Sequence, residues 1–138
     1  MNYGFVQVAT AAPEVRVADV TFNTQKTIAA MHTAAEHGAR LVVFPELGLT
    51  AYTCSDLFFQ SVLIQKAKDA VLRIAKETET LDLLAVVGLP LAVGDKLYNA
   101  AAFLQGGRIL GFATKKYLPN YSEFYEMRHF SVLEENTT

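Results

Sequence analysis

Leu41-Val42-Val43-Phe44-Pro45-Glu46-Leu47 is the stretch on which the fold turns. Its four consecutive apolar residues read as a strand buried on both faces, the pattern of a sheet covered on its two sides. In open α/β sheets, functional groups gather just beyond the carboxyl ends of the strands, and Glu46 lies two residues past this one. A carboxylate flanked by Phe44, Pro45 and Leu47 is expected to be partly desolvated, which raises its pKa toward the range of a general base. On this feature alone, an ordinary exposed loop glutamate is the commoner case.

Working outward, Gly4 to Ala9 alternates as a short strand. Asp19, Thr21 and Asn23 are candidate caps for a helix that runs to about His37. Its apolar side is Ile28, Met31, Ala34 and Ala35, and Gly38 stands where a helix stop belongs. A second helix is marked by Leu63, Ala67, Ala70, Val71, Ile74 and Ala75, with charged residues on its other faces. Leu83 to Leu89 is another buried strand, expected to stop at Pro90. Leu97–Leu104 and Arg108–Thr114 read as a hairpin around Gln105-Gly106-Gly107. The order β-α-β-α-β-β-β predicts an α/β fold, a mixed sheet with helices packed on one side, followed by an aromatic-rich irregular tail.

Composition narrows the function classes. A chain of 138 residues has room for one domain with a sizeable core, and 51% hydrophobic against 19% charged residues argues against disorder. The formal net charge of −2 comes without a basic stripe, so neither nucleic acid nor an anionic membrane is an expected partner. No apolar run approaches a membrane span, and Met1 to Thr10 has no signal-peptide pattern. The single cysteine excludes an internal disulfide and fits a reducing, cytoplasmic setting. Three scattered histidines and that cysteine show no metal-ligand spacing, so no metal site is expected.

The segment Lys115-Lys116-Tyr117-Leu118-Pro119-Asn120-Tyr121-Ser122-Glu123-Phe124-Tyr125-Glu126-Met127-Arg128 carries the densest chemistry. Lys115 follows the strand Arg108–Thr114, where an ammonium could hold a developing oxyanion and keep a neighbouring carboxylate charged. A solvated lysine beside Lys116 is the commoner case. Glu126 and Glu123 could orient it or simply cap the segment. Tyr52 and Tyr121 offer flat faces and hydroxyls suited to a small polar substrate, although buried tyrosines more often pack. Cys54 lies at the start of what reads as a short helix, whose N-terminus can lower a thiol pKa. No histidine neighbours it in sequence, and a buried structural cysteine is the better reading. His32, His37 and His129 have no persuasive partner, and Gly106-Gly107 is a turn rather than a phosphate loop.

These elements in this order resemble the N-terminal part of the carbon–nitrogen hydrolase (nitrilase) superfamily. Phe44 to Tyr52 is similar to the family's first-glutamate motif, with Ala51 where glycine is usual. Tyr52-Thr53-Cys54-Ser55-Asp56-Leu57-Phe58, Leu97-Tyr98-Asn99-Ala100-Ala101 and the Lys115–Glu126 run more closely resemble the glutamine-hydrolysing domain of glutamine-dependent NAD synthetases. The resemblance implies an α-β-β-α sandwich and a Glu-Lys-Cys catalytic set. By position Glu46 would be the general base, Lys115 the oxyanion stabiliser and Glu126 its support, with Tyr52 and Tyr121 lining a glutamine pocket.

The family's nucleophilic cysteine follows the lysine motif, so Cys54 does not match it and none is expected in this chain. Residues 1–138 would then be the N-terminal portion of a glutamine amidotransferase domain, inactive alone. ATP and Mg²⁺ would belong to an absent synthetase domain, and the nitrilase-type domain implies a homo-oligomer. Two competing readings are a truncated stand-alone amidase or nitrilase and a non-catalytic assembly module.

Overall fold

The computed structural model describes residues 4–119 and 126–133. In chain order they form β1 (Val8–Thr10), α1 (Val20–Glu36), β2 (Leu41–Val43), a 3-10 turn at Ser55–Phe59 and α2 (Ser61–Glu77). After a second 3-10 turn at Thr78–Thr80 come β3 (Leu84–Val93), β4 (Lys96–Gln105), β5 (Arg108–Thr114) and the one-turn helix α3 (Glu126–His129). The strands make one mixed sheet in the order β1-β2-β3-β4-β5. The first three are parallel, and β4 and β5 turn back antiparallel. This is the α/β architecture that the alternation of strand runs and amphipathic helices requires.

Strand period and helix period meet on one face of the sheet. Ala85, Val87 and Leu89 of β3 sit opposite Leu104, Ala102 and Ala100 of β4, and all six are buried. Leu63, Ala67, Ala70, Val71, Ile74 and Ala75, the apolar stripe of α2, are likewise all buried and join the same core with Met31 and Ala34 of α1. The first half of α1 is different. After Val20 its buried positions are the polar Asn23, Thr24 and Thr27, while Ile28, like Ala35 in the last turn, is only partly covered. Asp19 is the cap, accepting from the Phe22 N–H at 3.1 Å. Asn23 is no cap; it lies fully buried and ties the Arg16 backbone and the Leu49 carbonyl to the helix.

Three expectations are corrected. β3 does not stop at Pro90 but runs on to Val93, then turns at Gly94-Asp95 into β4. A proline lacks the N–H a central strand needs, yet β2 pairs with β3 only as far as Val86, so β3 is locally an edge at Pro90. β1 starts at Val8 rather than Gly4. β2 is covered on one face only: Val42 and Phe44 enter the core, whereas Leu41 is half-buried and Val43 exposed. The second face, running Val43–Val86–Phe103 across three strands, has no layer over it among the described residues.

Candidate active site

Three segments far apart in sequence meet beyond the carboxyl ends of β2 and β5. After β2 the chain folds over β3, with the Phe44 N–H donating to Val86 O at 2.9 Å and the Leu49 N–H to Gly88 O at 3.1 Å. Only a glycine at position 88 permits this approach. A Cβ there would lie 2.5 Å from the Leu47 nitrogen and 2.7 Å from the Pro45 carbonyl oxygen. The loop is tight enough to force Leu47 and Ala51 into left-handed backbone, at φ 52° and 74°. Phe44, Leu47 and Leu49 are driven into the core. Glu46 is thereby turned outward, its side chain 42% exposed. Its apolar neighbours serve the core rather than cover it, so the carboxylate expected to be partly desolvated keeps a broad opening to solvent.

Lys115 is the first residue after β5, and its N–H donates to Asn99 O at 2.8 Å. Its ammonium donates to Glu46 Oε1 at 2.6 Å and to Glu126 Oε1 and Oε2 at 3.0 and 3.1 Å. Asn99 Nδ2 donates to Glu46 Oε1 at 2.5 Å and reaches Glu126 Oε1 at 3.4 Å. One ammonium and one amide thus hold two carboxylates. Burial alone would push the Lys115 ammonium down. Its hydrogen bonds to Glu46 and Glu126, with their charges, outweigh that and hold it above its ordinary value. It is a fixed positive charge at neutral pH. Among the described residues both donors reach Oε1 of Glu46, leaving Oε2 as the oxygen able to take a proton.

Tyr52 lies beside this cluster, half-buried. Burial, then the charges of Glu126 and Glu46, push the phenol up. With Thr53, Phe58, Glu126 and His129 it lines a hollow on one side of the cluster. Glu46, Asn99 and Lys115 line another, floored by Val86 and Gly88. Tyr121 and Glu123 lie outside the described residues.

Cys54 is elsewhere in character. It is 2% exposed, and its Sγ donates to the carbonyls of Thr50 and Ala51 at 2.9 and 3.4 Å. Burial pushes its thiol up, against the lowering effect of hydrogen bonds from the Ala18 backbone and the Thr50 side chain. A buried, proton-retaining thiol is a poor nucleophile. Among the described residues, no group of three His, Cys, Asp or Glu side chains could hold a metal ion.

Asn99 is the member sequence reasoning passed over as a site residue. The signal was there: it is the one side-chain amide inside the apolar run Leu97–Leu104, and a buried amide in a strand needs polar partners. Two of the histidines also gain partners that no local pattern announces, His32 with Glu77 and His129 with Asp56.

Residues 5–136 match the carbon-nitrogen hydrolase family. Among curated proteins, the chain is 36% identical over 130 residues to the glutamine-dependent NAD(+) synthetase of Mycobacterium bovis, covering 94% of this chain and 19% of that protein. It is 37% identical over 129 residues to the enzyme of the same name from Xylella fastidiosa, covering 93% and 23%. The chain therefore spans about a fifth of the length of these curated relatives. Among solved structures, a glutamine-dependent NAD(+) synthetase from Cytophaga hutchinsonii superposes with a TM-score of 0.89 at 26% identity, over 96% of this chain and 22% of that one. An amidase of the nitrilase superfamily from Nesterenkonia superposes at 0.82 with 22% identity, over 94% and 49%, a likeness of fold. With a matching profile along nearly its whole length and a nitrilase-type fold, the chain belongs to the carbon–nitrogen hydrolase family.

Proposed function

We propose that this sequence is the N-terminal part of the glutamine-hydrolysing domain of a glutamine-dependent NAD synthetase. The observation that carries the reading is the Glu46–Lys115–Glu126 cluster, a carboxylate poised beside a fixed ammonium, in a chain whose relatives bear that name. The substrate bond is the side-chain amide of glutamine. A thiol supplied by sequence beyond Thr138 gives its proton to Glu46 Oε2 and attacks the amide carbon. Lys115 faces the oxygen that becomes the oxyanion, where a preorganised cation contributes most. Collapse expels ammonia, which takes the proton back from Glu46, and leaves a thioester. Glu46 then takes a proton from the water that attacks the thioester and returns it to the departing thiolate as glutamate is released.

Glu126 supports Lys115, and Tyr52 and Tyr121 line the glutamine pocket. ATP and Mg²⁺ would belong to the synthetase portion, where ammonia would be used. Residues 1–138 alone turn over nothing, since losing a covalent nucleophile removes about six orders of magnitude in rate in comparable hydrolases. The 22% identity to the Nesterenkonia amidase carries no competing assignment.

Separate assays of glutamine-dependent and ammonia-dependent NAD synthesis, in the full-length protein that carries this sequence, test the reading. Glu46→Gln is expected to lower the glutamine-dependent rate by about 10²–10⁴, and Lys115→Ala by about 10²–10³. The ammonia-dependent rate should hold in both. A full-length protein without glutamine-dependent activity, or equal loss of both activities in the variants, contradicts it.

A further inference from the structure

Glu126 is almost fully buried, yet the helix that presents it is a single turn, far too short to be stable by itself. Something must hold α3 in place. Its N-terminal end hangs on the Glu126 N–H to Pro119 O bond at 3.2 Å, and just past it the Ser131 N–H reaches Leu97 O at 2.7 Å. The contact that fixes its orientation is across the site, on the 3-10 turn at Ser55–Phe59.

Arg128 grips Asp56 side-on, Nε to Oδ1 at 2.8 Å and Nη2 to Oδ2 at 3.0 Å, and His129 Nε2 adds a third bond to Oδ1 at 3.1 Å. The Arg128 hydrogen bonds first, then that of His129, hold the Asp56 carboxyl well below its ordinary range. Beneath the charges is an apolar seat. The His129 ring lies 5.6 and 5.2 Å from Phe58 and Phe59, and Phe58 meets Phe130 edge-on at 5.0 Å.

We propose that Asp56, with Arg128 and His129, is the positioning element of the site: it docks α3 so that the Glu126 carboxylate stays on the Lys115 ammonium. The inference rests on the glutaminase reading for its activity arm only. Isolated surface ion pairs contribute little, and both Asp56 and Arg128 are more than half exposed. A forked arginine–carboxylate pair differs in fixing geometry as well as charge. Geometry is what the site needs. With Glu126 displaced, the Lys115 ammonium would be held by Glu46 alone; with Glu126 seated, it is fixed between two carboxylates.

The test uses the full-length protein and follows Lys115 by competitive acetylation with mass-spectrometric readout, which reports how tightly one lysine holds its proton. In Asp56→Asn, Lys115 should label about tenfold faster at neutral pH, because its ammonium loses one of the two carboxylates that hold its proton. Asp56→Glu should restore the slow rate, and Arg128→Gln should reproduce the fast one from the other side of the clamp. In a Glu126→Gln background, Asp56→Asn should add nothing, because it acts through Glu126. Glutamine-dependent kcat should fall with KM nearly unchanged, and ammonia-dependent synthesis should hold. Unchanged Lys115 labelling in both Asp56→Asn and Arg128→Gln, or an additive effect in the Glu126→Gln background, overturns the proposal. Absence of glutamine-dependent activity in the unaltered protein would sink the functional reading, while the labelling still decides the positioning.

Discussion

Lys115 carries more of the site than its single charge suggests, because two carboxylates and the Asn99 amide are arranged around it. Its proton is held above the ordinary value of 10.5 by Glu46 and Glu126, against the opposing effect of burial. A folded-state pKa above the unfolded one stabilises fully below the unfolded value, and that stabilisation is lost as pH rises through the folded value. Urea unfolding of the chain and of Lys115→Met should therefore differ most at neutral pH, by about 2 kcal/mol for a buried carboxylate left without its donor. The difference should vanish at pH values well above 10.5. A gap that persists there would mean that Lys115 acts by packing rather than charge.

At the scale of elements, the loop from Phe44 to Cys54 is the most constrained piece of the chain. Ala51 at φ 74° occupies backbone that suits glycine, which accounts physically for a glycine being usual there in the family it resembles. Ala51→Gly should raise stability by about 1 kcal/mol in thermal unfolding, since left-handed backbone costs an alanine about that much. Gly88→Ala should do the reverse. The added methyl would meet main chain at Leu47 and Pro45, which cannot yield cheaply, so a loss of about 1–3 kcal/mol and a displaced Glu46 are expected. A neutral Gly88→Ala would show that the loop is looser than its hydrogen bonds imply.

The same elements show where sequence reading reached and where it stopped. The α2 stripe was legible because every core position on it is apolar and helically spaced. The buried side of α1 was not, because Asn23, Thr24 and Thr27 are polar residues whose burial depends on loops that arrive from elsewhere. Pro90 read as a stop because pairing partners are invisible in sequence, and only the short reach of β2 makes a proline tolerable there. Glu46 and Lys115 announced themselves by following strand runs. Asp56 and His129 did not, since their meeting spans 73 residues and has no local signature.

At the scale of the molecule, the described residues form a sheet with one covered face and one open one. Helices α1 and α2 seal the first, and the described residues leave Val43 exposed and Val86 and Phe103 half-covered on the second. Glu46, Asn99 and Lys115 stand at the rim of that open apolar face. An apolar strand run such as Leu41–Phe44 suits cover on both sides, and the described residues supply it on one.

Everything proposed for the site depends on the nucleophile being other than Cys54, a buried thiol bonded to two carbonyls and reluctant to ionise. Mass-spectrometric mapping of the full-length protein after exposure to a glutamine-like electrophile at neutral pH puts that directly. The account predicts rapid labelling of a cysteine C-terminal to Lys115, dependent on Glu46, with Cys54 left unmodified. Rapid labelling confined to Cys54 and lost in Glu46→Gln would contradict it, and would make these 138 residues a minimal amidase in their own right.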